Sequence, residues 1–502
     1  MSTNADLIEQ YKKIIEAQQA QIIALTQQLE WLKRQLFGSK SERFVPSENQ
    51  MQLDLGIAPV EVEVKNEHIE YDREKTTVKD KKEGHGRGQM PTHLPFVDEI
   101  IIPEGINPET DREIGRETTW EIDYEPGKCI VRRYIRPKYA RKSDDSIVIA
   151  PLPARPIEKG NFGPGIMASI TTDKYLYHIP LYRQGEKFLR ENHLKISEST
   201  LADVVKNTFF WVDGVFDTMR KGFFLNATYV MADETHIPVL IKAKTGKAHK
   251  GYYWVYYDPV RRIVLFDYYH GRGRGGPNEF LKNYKNGIIQ IDGYAGYNEV
   301  IKSNNLSRAG CMAHVRRKFE EALKVNKDDA SYALKVIGEW FEVERIAKVQ
   351  GLSYEERLAL RNEKSLSESF RQLKDWMIQY CTNALPLNLV RKACEYALGQ
   401  WDFFDAYLTD GRVELSNNKV ENAIRPVALG RKNFMFKGSE DAAQRGAVIY
   451  SIIATAKLHG LDPREYIKYL LEKLPGEEAA NIEKYLPWAE EVVEALLSKQ
   501  SV

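Results

Sequence analysis

Between residues 226 and 315 the hydrophobic pattern changes from helical to strand-type spacing, and no other feature constrains the fold as strongly. Apolar runs bounded by turn residues predict five strands, in NATYVMAD, GYYWVYYDP, RRIVLFDYYH, GIIQID and SRAGCMAHV. The second and third are expected to form a hairpin across Asp258-Pro259, and GPNEFLKNY predicts a short helix before the fourth. The chain is therefore predicted to contain a mixed α/β core built around one sheet.

Helical patterns flank the strand block on both sides. Residues 173–222 precede it, residues 316–410 follow it as almost continuous helix, and residues 416–500 are helical again with a break at Gly460 and Pro463. The middle stretch has five aromatic residues that we expect to be buried anchors: Trp340, Trp376, Trp401, Phe403 and Phe404. Three strands, a helix and two further strands, in that order, match a ribonuclease-H-like α/β core.

Composition narrows the class of protein. The chain has 502 residues and a formal net charge of +1, so any binding of nucleic acid has to come from local basic patches. Its four cysteines include no CxxC pair, which favours a reducing cytoplasm over a disulfide framework. No apolar run reaches the roughly 18 residues that a membrane span needs. We therefore expect a cytoplasmic protein without a signal peptide or a membrane partner.

Residues 5–37 follow a heptad pattern, with apolar residues at 3-4 spacing and one polar break at Gln18. This pattern predicts a coiled coil and hence a homo-oligomer; the alternative is a single amphipathic helix packed on its own domain. Residues 45–90 then lose periodicity, and their acidic and basic stretches indicate a flexible linker.

Two segments before the strand block are candidates for DNA binding. Strand-type residues at 93–150 end in a basic ribbon that either contacts phosphate or is a solvated strand face: Arg132, Arg133, Arg136 and Lys138. LYRQGEKFLREN, the turn LKIS, and a helix capped by Ser199 or Thr200 have the outline of a helix-turn-helix. Any pair of antiparallel helices shares that outline.

Two acids stand after apolar strand residues, where an unpaired buried carboxylate would be costly. Asp233 follows YVMA and Asp292 follows GIIQI, so each is expected at the end of a strand. Two metal ions acting on a phosphodiester need hard oxygen ligands on rigid elements, and this placement provides them. The alternative is that each Asp caps a turn, since Asp-Gly at 292–293 is also a turn dipeptide.

A third acid, Glu421, begins a predicted helix in LSNNKVENAIRP. Asn417 or Asn418 is expected to cap that helix, which places Glu421 in its first turn. Arg425 lies one turn later, so the residues by themselves leave open whether Glu421 belongs to a site or pairs with Arg425. Glu414 and Glu234 are the nearest competing acids, and Glu234 should point away from Asp233 if the strand continues.

Basic residues lie on both sides of these acids in the sequence. One group follows the fifth strand and another follows Glu421: His314, Arg316, Arg317 and Lys318, then Arg425, Arg431, Lys432 and Lys437. Singly each is a solvated charge, but together they favour a nucleic-acid substrate. Tyr294 and Tyr297 either stack on a base or pack in the core.

Several segments give the chain a resemblance to a known family. MADETHIPV, IDGYAGYN, AGCMAHVRRKF and the long block from LSNNKVENAIRP to GLDPREY resemble the DDE transposase of the insertion sequence 66 family. The resemblance extends from about residue 7 to residue 475. It implies a ribonuclease-H-like domain with a helical insertion before the last acid, and Asp233, Asp292 and Glu421 as catalytic, Mg²⁺-binding residues, with Mn²⁺ as a substitute.

The resemblance also carries one departure and several further expectations. Members of the family have a small zinc module with two CxxC pairs; here the second pair would fall at Arg141 and Asp144 and the first within residues 105–111, which have no cysteine. No structural zinc is therefore expected. The expected partners are DNA, a second copy of the chain and accessory proteins of the same element.

The resulting hypothesis is a transposase of an insertion sequence that cuts transposon ends and joins them to target DNA in the bacterial cytoplasm, at the nucleoid. Two rivals remain: an inactive or domesticated DNA-binding coiled-coil protein, and a ribonuclease-H-like nuclease without strand transfer. The predicted domains are 1–44 (coiled coil), 45–90 (linker), 91–155 (zinc-finger-like β-rich module lacking its cysteines), 156–225 (helix-turn-helix-like), 226–320 (first segment of the core), 321–412 (helical insertion), 413–475 (second segment of the core) and 476–502 (helical tail).

Overall fold

The computed structural model describes residues 127, 129–132, 138–140, 147–149, 153–158, 160–241 and 247–497. All of them belong to one unit, Glu125–Val502. The predicted coiled coil, the linker and the positions at which zinc ligands are missing lie outside these residues and stay predictions. None of the helices in the described ranges is both long and apolar enough to cross a membrane.

Two short strands and three helices precede the main sheet. Strands β1 (Lys138–Ala140) and β2 (Ile147–Ile149) pair antiparallel. The helices that follow are α1 (Pro164–Tyr175), α2 (Leu181–Asn192) and α3 (Glu198–Asn226). The cap of α3 is Ser197, whose Oγ accepts a hydrogen bond from the Thr200 amide at 3.2 Å, and not Ser199 or Thr200 as predicted. Ser197 is extended and precedes the first helical residue, which is the geometry that a cap requires.

Five strands form one sheet, as predicted, in the order β5-β4-β3-β6-β7, but the fifth is shorter than SRAGCMAHV. It ends at Ala309, and a helix begins at Met312 because Met312, Val315 and Phe319 are buried at helical spacing. The members of the sheet are β3 (Tyr229–Leu240), β4 (Ala248–Asp258), β5 (Ile263–Tyr269), β6 (Ile288–Gln290) and β7 (Ser307–Ala309). Strands β3, β4 and β5 pair antiparallel, whereas β6 and β7 run parallel to β3. In the β4–β5 turn the buried Asp258 carboxylate accepts hydrogen bonds from the amides of Val260 and Arg261, as an Asp-Pro turn favours.

One prediction about β3 was wrong: the strand does not end at Asp233 but continues to Leu240. Its second half pairs with β4 from Glu234 opposite Trp254 to Leu240 opposite Ala248. Thr235, Ile237 and Val239 remain buried, so the polar residues between them occupy the other face of a continuing strand.

Helices cover the sheet and complete the chain. Helices α4 (Gly275–Phe280) and α5 (Asn298–Ser303) lie in the connections to β6 and β7, and α6 (Met312–Ala322) follows β7. The later helices are α7 (Lys327–Gln350), α8 (Tyr354–Arg361), α9 (Lys364–Asn383), α10 (Leu389–Gln400), α11 (Asp405–Thr409), α12 (Asn418–Phe434), α13 (Glu440–Leu458), α14 (Pro463–Lys473) and α15 (Glu490–Leu497).

Helix α13 is the core helix of the second half. Its Ser451 Oγ accepts a hydrogen bond from the Phe266 amide at 2.8 Å, and its Thr455 Oγ1 accepts one from the Val264 amide at 3.1 Å. These bonds satisfy the outer edge of β5, which has no partner strand on that side within the described sheet. A segment remote in sequence thus completes the sheet.

Of the five aromatic residues of the helical stretch that were predicted to be buried anchors, three are buried and two are not fully buried. Trp340, Trp401 and Phe404 are buried, whereas Trp376 and Phe403 are only half-buried. The ring of Phe403 lies beneath the Arg308 guanidinium at 3.8 Å, so it joins the helical stretch to β7.

Candidate active site

The register of the sheet brings the first two acids to the same level. Met231 on β3 pairs with Gln290 on the parallel β6, so Asp233 and Asp292, each two residues further on, are level with one another. Asp233 Oδ1 accepts the Glu234 amide at 2.8 Å, and Asp292 Oδ1 accepts the Tyr294 amide at 3.0 Å. Both acids are therefore held by the backbone that follows them.

Glu421 reaches the same region because the segment before α12 binds the ends of β6 and β7. The Gln290 side-chain amide donates to the Glu414 carbonyl at 2.8 Å. The Met312 amide donates to the Leu415 carbonyl at 2.9 Å, and Cys311 Sγ donates to Asn417 Oδ1 at 3.0 Å. Helix α12 thus begins beside α6.

The ion pairs of Glu421 exclude the alternative of a pair with Arg425. His314 Nε2 and Arg317 Nη2, both on α6, each lie 3.7 Å from a Glu421 carboxylate oxygen. Arg425 is exposed, and among the described residues it is not an ion-pair partner of Glu421. Asn417 is the residue before the helix, but its side chain bonds Cys311 and does not cap α12.

The three acids interact electrostatically. Burial raises the pKa of Asp233 to about 8, and the negative charges of Glu234, Asp292 and Glu421 add to that shift, against the hydrogen bond from the Glu234 amide. Burial also lowers the pKa of His314, against the charges of Glu421 and Asp292. Such a group of acids favours either protonation or a cation.

We tested whether these residues fit a divalent metal ion. Within the described part of the chain, no group of three or more His, Cys, Asp or Glu side chains is arranged to hold a metal. The donor chemistry nevertheless fits, because carboxylates are the hard ligands that Mg²⁺ prefers. Glu421 Oε1 is buried without a hydrogen-bond partner. Burial and the neighbouring acids raise the pKa of Asp233, and a bound cation would favour its ionised form.

The two competing acids have other partners. Glu234 lies on the opposite face of β3, as alternation predicts, and its Oε1 accepts bonds from Arg272 Nε at 2.9 Å and Nη2 at 2.7 Å. The Arg272 guanidinium in turn stacks on the Tyr294 ring at 4.2 Å. Glu414 forms an ion pair with Lys419. Each carboxylate therefore has a basic partner, although Glu234 Oε2 is buried without a hydrogen bond. The pattern alone did not predict either pairing.

The two tyrosines beside Asp292 have different environments. Tyr297 is fully buried, and its ring packs edge-on against Trp254 at 5.4 Å, so it belongs to the core. Tyr294 is half-buried, and its hydroxyl donates to the Arg272 carbonyl at 2.7 Å.

The predicted DNA-binding residues divide into three groups. Arg425 and Lys432 on α12, and Arg132 before β1, are exposed; Arg316 is half-buried and bonds Glu320 at 2.9 Å. His314 and Arg317 bind Glu421, as described above, and Arg431 donates to Thr235 Oγ1 at 2.8 Å and the His236 carbonyl at 2.9 Å. Arg133, Arg136 and the side chain of Lys138 lie outside the described residues, and their role stays a prediction.

Lys437 was predicted to be an exposed basic residue beside the acids, and this prediction was wrong. It is buried, with its ammonium over the rings of Tyr175, Phe434 and Tyr450. Its backbone pairs with β3, through the Pro238 carbonyl and the Leu240 amide, and this pairing draws the side chain into the core.

Replacing Asp233 with Asn is expected to stabilise the metal-free protein at alkaline pH. The folded-state pKa of about 8 exceeds the ordinary 3.8, so the unfolded chain releases this proton first and stability is lost as pH rises from about 4 through 8. In EDTA, the melting temperature of Asp233→Asn should exceed that of the unmodified protein at pH 8.5 and by much less at pH 5.

Asp410→Asn is the control of opposite sign. Hydrogen bonding to Arg412 holds the pKa of Asp410 below its usual range, so this substitution should lower the melting temperature at pH 8.5. An Asp233→Asn effect that is the same at both pH values would contradict the prediction.

Tyr396 and Gln400 on α10 also reach this site, and nothing in the sequence pattern signalled it. The Tyr396 hydroxyl donates to the Asp292 carbonyl at 2.9 Å, and Gln400 Oε1 accepts from Arg308 Nη2 at 2.5 Å. Their spacing on α10 is that of an ordinary helix face, so only the packing of the helical segment on the sheet reveals them.

Comparisons with known proteins agree in pointing to one family. Residues 159–445 match a family model described as Transposase IS66 family, residues 24–98 match one described as Transposase C of IS166 homeodomain, and residues 451–488 match one described as IS66 C-terminal element. Two similar relatives come from Sinorhizobium fredii (strain NBRC 101917 / NGR234). The uncharacterized protein y4jD is 30% identical, covering 96% of this chain and 97% of the relative, and the uncharacterized protein y4hP is 30% identical, covering 93% and 88%.

Proposed function

The chain belongs to the IS66 transposase family, and from that premise we propose that it cuts the ends of its insertion sequence and joins them to target DNA. The observation that carries this proposal is the approach of Asp233, Asp292 and Glu421, which come from β3, the end of β6 and α12 and act on one another electrostatically. Carboxylates gathered from three rigid elements suit phosphoryl transfer.

Each of the three acids is held by a different structural element. Asp233 belongs to a strand paired on both sides, Asp292 to a turn whose next residues bond back to it, and Glu421 to a helix start beside α6. We assign Asp233, Asp292 and Glu421 as the residues that would hold Mg²⁺, or Mn²⁺ in its place. When bound, such ions supply Lewis-acid polarisation of the phosphoryl oxygens and favour the attacking nucleophile.

The reaction that we propose has two displacements at phosphorus. A water oxygen attacks the phosphorus at the element's end, the bond from phosphorus to the 3′ oxygen breaks, and that oxygen takes up a proton while the water loses one. The freed 3′-hydroxyl then attacks a target phosphodiester and loses its proton, the bond from that phosphorus to the target's 3′ oxygen breaks, and the leaving 3′ oxygen takes up a proton. No protein nucleophile is needed in either step.

Basic residues beside the acids suit the polyanionic substrate. Arg316, Arg425 and Lys432 lie on the two helices that meet at Glu421, and they are the side chains that we assign to phosphate contact. His314 and Arg317 both lie against Glu421, and the Arg317 guanidinium offsets its charge. Arg431 fixes α12 to β3 and contributes to DNA binding only through that placement.

The proposal also covers the fold and the assembly of the protein. The strand order, with an antiparallel triplet followed by two parallel strands, supports a ribonuclease-H-like core, and α7–α11 form the insertion before the third acid. The heptad pattern of residues 5–37 supports pairing of two copies, so that two ends are held together on the bacterial nucleoid. Accessory proteins of the element complete the proposed set of partners.

A plasmid assay tests the proposal. A supercoiled plasmid carrying the two ends of the element is incubated with the protein, Mg²⁺ and a second, unmarked target plasmid. We expect nicked donor plasmid and covalent donor–target products. Cleaved ends without joined products would identify a nuclease, and bound but intact plasmid would identify a DNA-binding protein without catalysis; either result would overturn the proposal.

A further inference from the structure

The turn that bears Asp292 is in contact with protein on two sides. On the side of the sheet, Tyr294 bonds the Arg272 carbonyl and lies beneath the Arg272 guanidinium, while Glu234 holds that guanidinium from β3. The Glu234 side chain is only 3% exposed, whereas the Arg272 side chain is 51% exposed, so solvent screens this ion pair from the arginine side.

On the other side, the turn is in contact with α10. The Tyr396 hydroxyl donates to the Asp292 carbonyl, and the Gln400 amide lies against Gly293. Gly293 has a φ of +104°, and a Cβ there would lie 3.1 Å from Gln400 Oε1 and 3.3 Å from Arg308 Nη2. The backbone after Asp292 thus has a conformation that favours glycine and little room to change it.

The hydrogen bond between Tyr396 and Asp292 joins residues that are far apart in the chain. Tyr396 lies 104 residues after Asp292, within the helices that separate the second acid from the third. The same helix face bonds Arg308 on β7 through Gln400, and the adjacent Phe403 carbonyl accepts the Gly310 amide at 2.9 Å. These helices therefore contact the end of the sheet along β6 and β7 and not only at one side chain.

We propose that Tyr396 is a positioning residue, which fixes the Asp292 backbone so that its carboxylate stays level with Asp233. Helix α10 then contributes to the placement of the site and is not only part of an insertion tolerated by the fold. This inference rests on the proposed function in one respect, the role of Asp292 in the reaction. A hydroxyl bound to a carbonyl orients a turn without touching substrate, so its loss should alter the rate and not the affinity for DNA.

Tyr396→Phe tests the proposal because it removes only the hydroxyl. We expect kcat for end cleavage to fall roughly tenfold, with KM for the DNA unchanged. In the DNA-free protein, amide hydrogen exchange of a peptide covering residues 292–297 should become faster, because the Asp292 carbonyl loses its partner.

Tyr380→Phe is the matched control. The Tyr380 hydroxyl donates to Asp329 Oδ2 at 2.8 Å, so its removal loosens the same helical segment without touching the Asp292 turn. We expect normal kcat and normal exchange at 292–297 in this variant. Equal effects in both variants, or no effect in Tyr396→Phe, would overturn the proposal.

Measuring Asp292→Asn in the same assays distinguishes a failure of the positioning role of Tyr396 from a failure of the proposed function. If Asp292→Asn is inactive while Tyr396→Phe is unchanged in rate and exchange, the positioning role fails and the proposed function stands. If Asp292→Asn cleaves normally while Tyr396→Phe exchanges faster, the proposed catalytic role of Asp292 fails, and with it the role of Tyr396 in the reaction.

Discussion

Asp292→Asn is expected to abolish strand cleavage while leaving DNA binding intact. The substitution preserves shape but replaces a carboxylate oxygen that would hold the metal. Asp292 belongs to a group of acids in which burial first, and then the neighbouring negative charges, raise the pKa of Asp233. We expect a loss of about a thousandfold or more, equivalent to about 4 kcal/mol of transition-state stabilisation. Gel-based quantification of nicked plasmid, with DNA binding measured separately, checks both halves of this expectation.

Asp267→Asn is the matched control for that experiment. Asp267 is another half-buried acid of the same sheet, and burial raises its pKa to about 7. It pairs across the strands with Trp254, whose other partner is Glu234, so it lies on the face opposite Asp233. Cleavage by this variant should be within a few fold of normal. Comparable losses in Asp267→Asn and Asp292→Asn would mean that any charge change in the sheet impairs the protein.

Arg361→Ala is expected to have the largest effect on stability. The Arg361 side chain is 0% exposed and bonds Glu344 through Nε at 2.7 Å. It also donates to the carbonyls of Tyr407, Asp410 and Val413, at 3.0, 3.1 and 2.8 Å. Alanine would remove the Arg361 donor from these carbonyls, of which that of Asp410 keeps the Val413 amide, and would leave Glu344 with less opposing charge. We expect a cost of about 3–5 kcal/mol in the free energy of unfolding.

The reason is the position of this arginine in the chain. Residues 407–413 lead from the helical segment back to Glu414, which bonds the end of β6, and then to α12. Losing Arg361 should therefore displace the start of α12 and lower cleavage as well as stability. Urea denaturation followed by circular dichroism measures the first effect, and the plasmid assay measures the second.

Arg345→Ala supplies the comparison for Arg361. Arg345 lies on α7 and pairs with Glu342 on the protein surface, where solvent screens the interaction. Its urea midpoint should match that of the unmodified protein. The opposite ranking, with Arg345→Ala the less stable variant, would contradict the structural role given to Arg361.

The strands were predictable because their signal is local. Four of the five have an apolar run, and the Asp-Pro turn between β4 and β5 has its own sequence signature. The fifth, Ser307–Ala309, has no such run, and the apolar residues predicted to extend it are helical. The end of β3 was not predictable in this way, since the pairing of Glu234–Leu240 with β4 outweighs the polar residues within it. The cap at Ser197 was missed for a similar reason, because three neighbouring hydroxyl residues all qualify by type.

The candidate site shows the same difference between features with a local sequence signal and features that depend on tertiary contacts. Asp233 and Asp292 were predicted as site residues because each was expected at the end of a strand, and the continuation of β3 to Leu240 contradicts that expectation for Asp233. Only the parallel register of β3 and β6 makes the two acids neighbours. Glu421 could not be separated from a pair with Arg425 by spacing, and its resemblance to a family motif had to supply the assignment. The structure places it against His314 and Arg317 instead.

The amino-acid sequence by itself determined the order of strands and helices and the family, and it supplied the three acids that we propose as the site, because these depend on local periodicity and on motifs. Only the tertiary structure decided which groups meet: Glu421 with α6, Arg272 with Glu234, Arg361 with the returning chain, and Tyr396 with the Asp292 turn. Such contacts join residues far apart in the chain. Their energies depend on burial and distance, which cannot be read from the spacing of residues in the sequence.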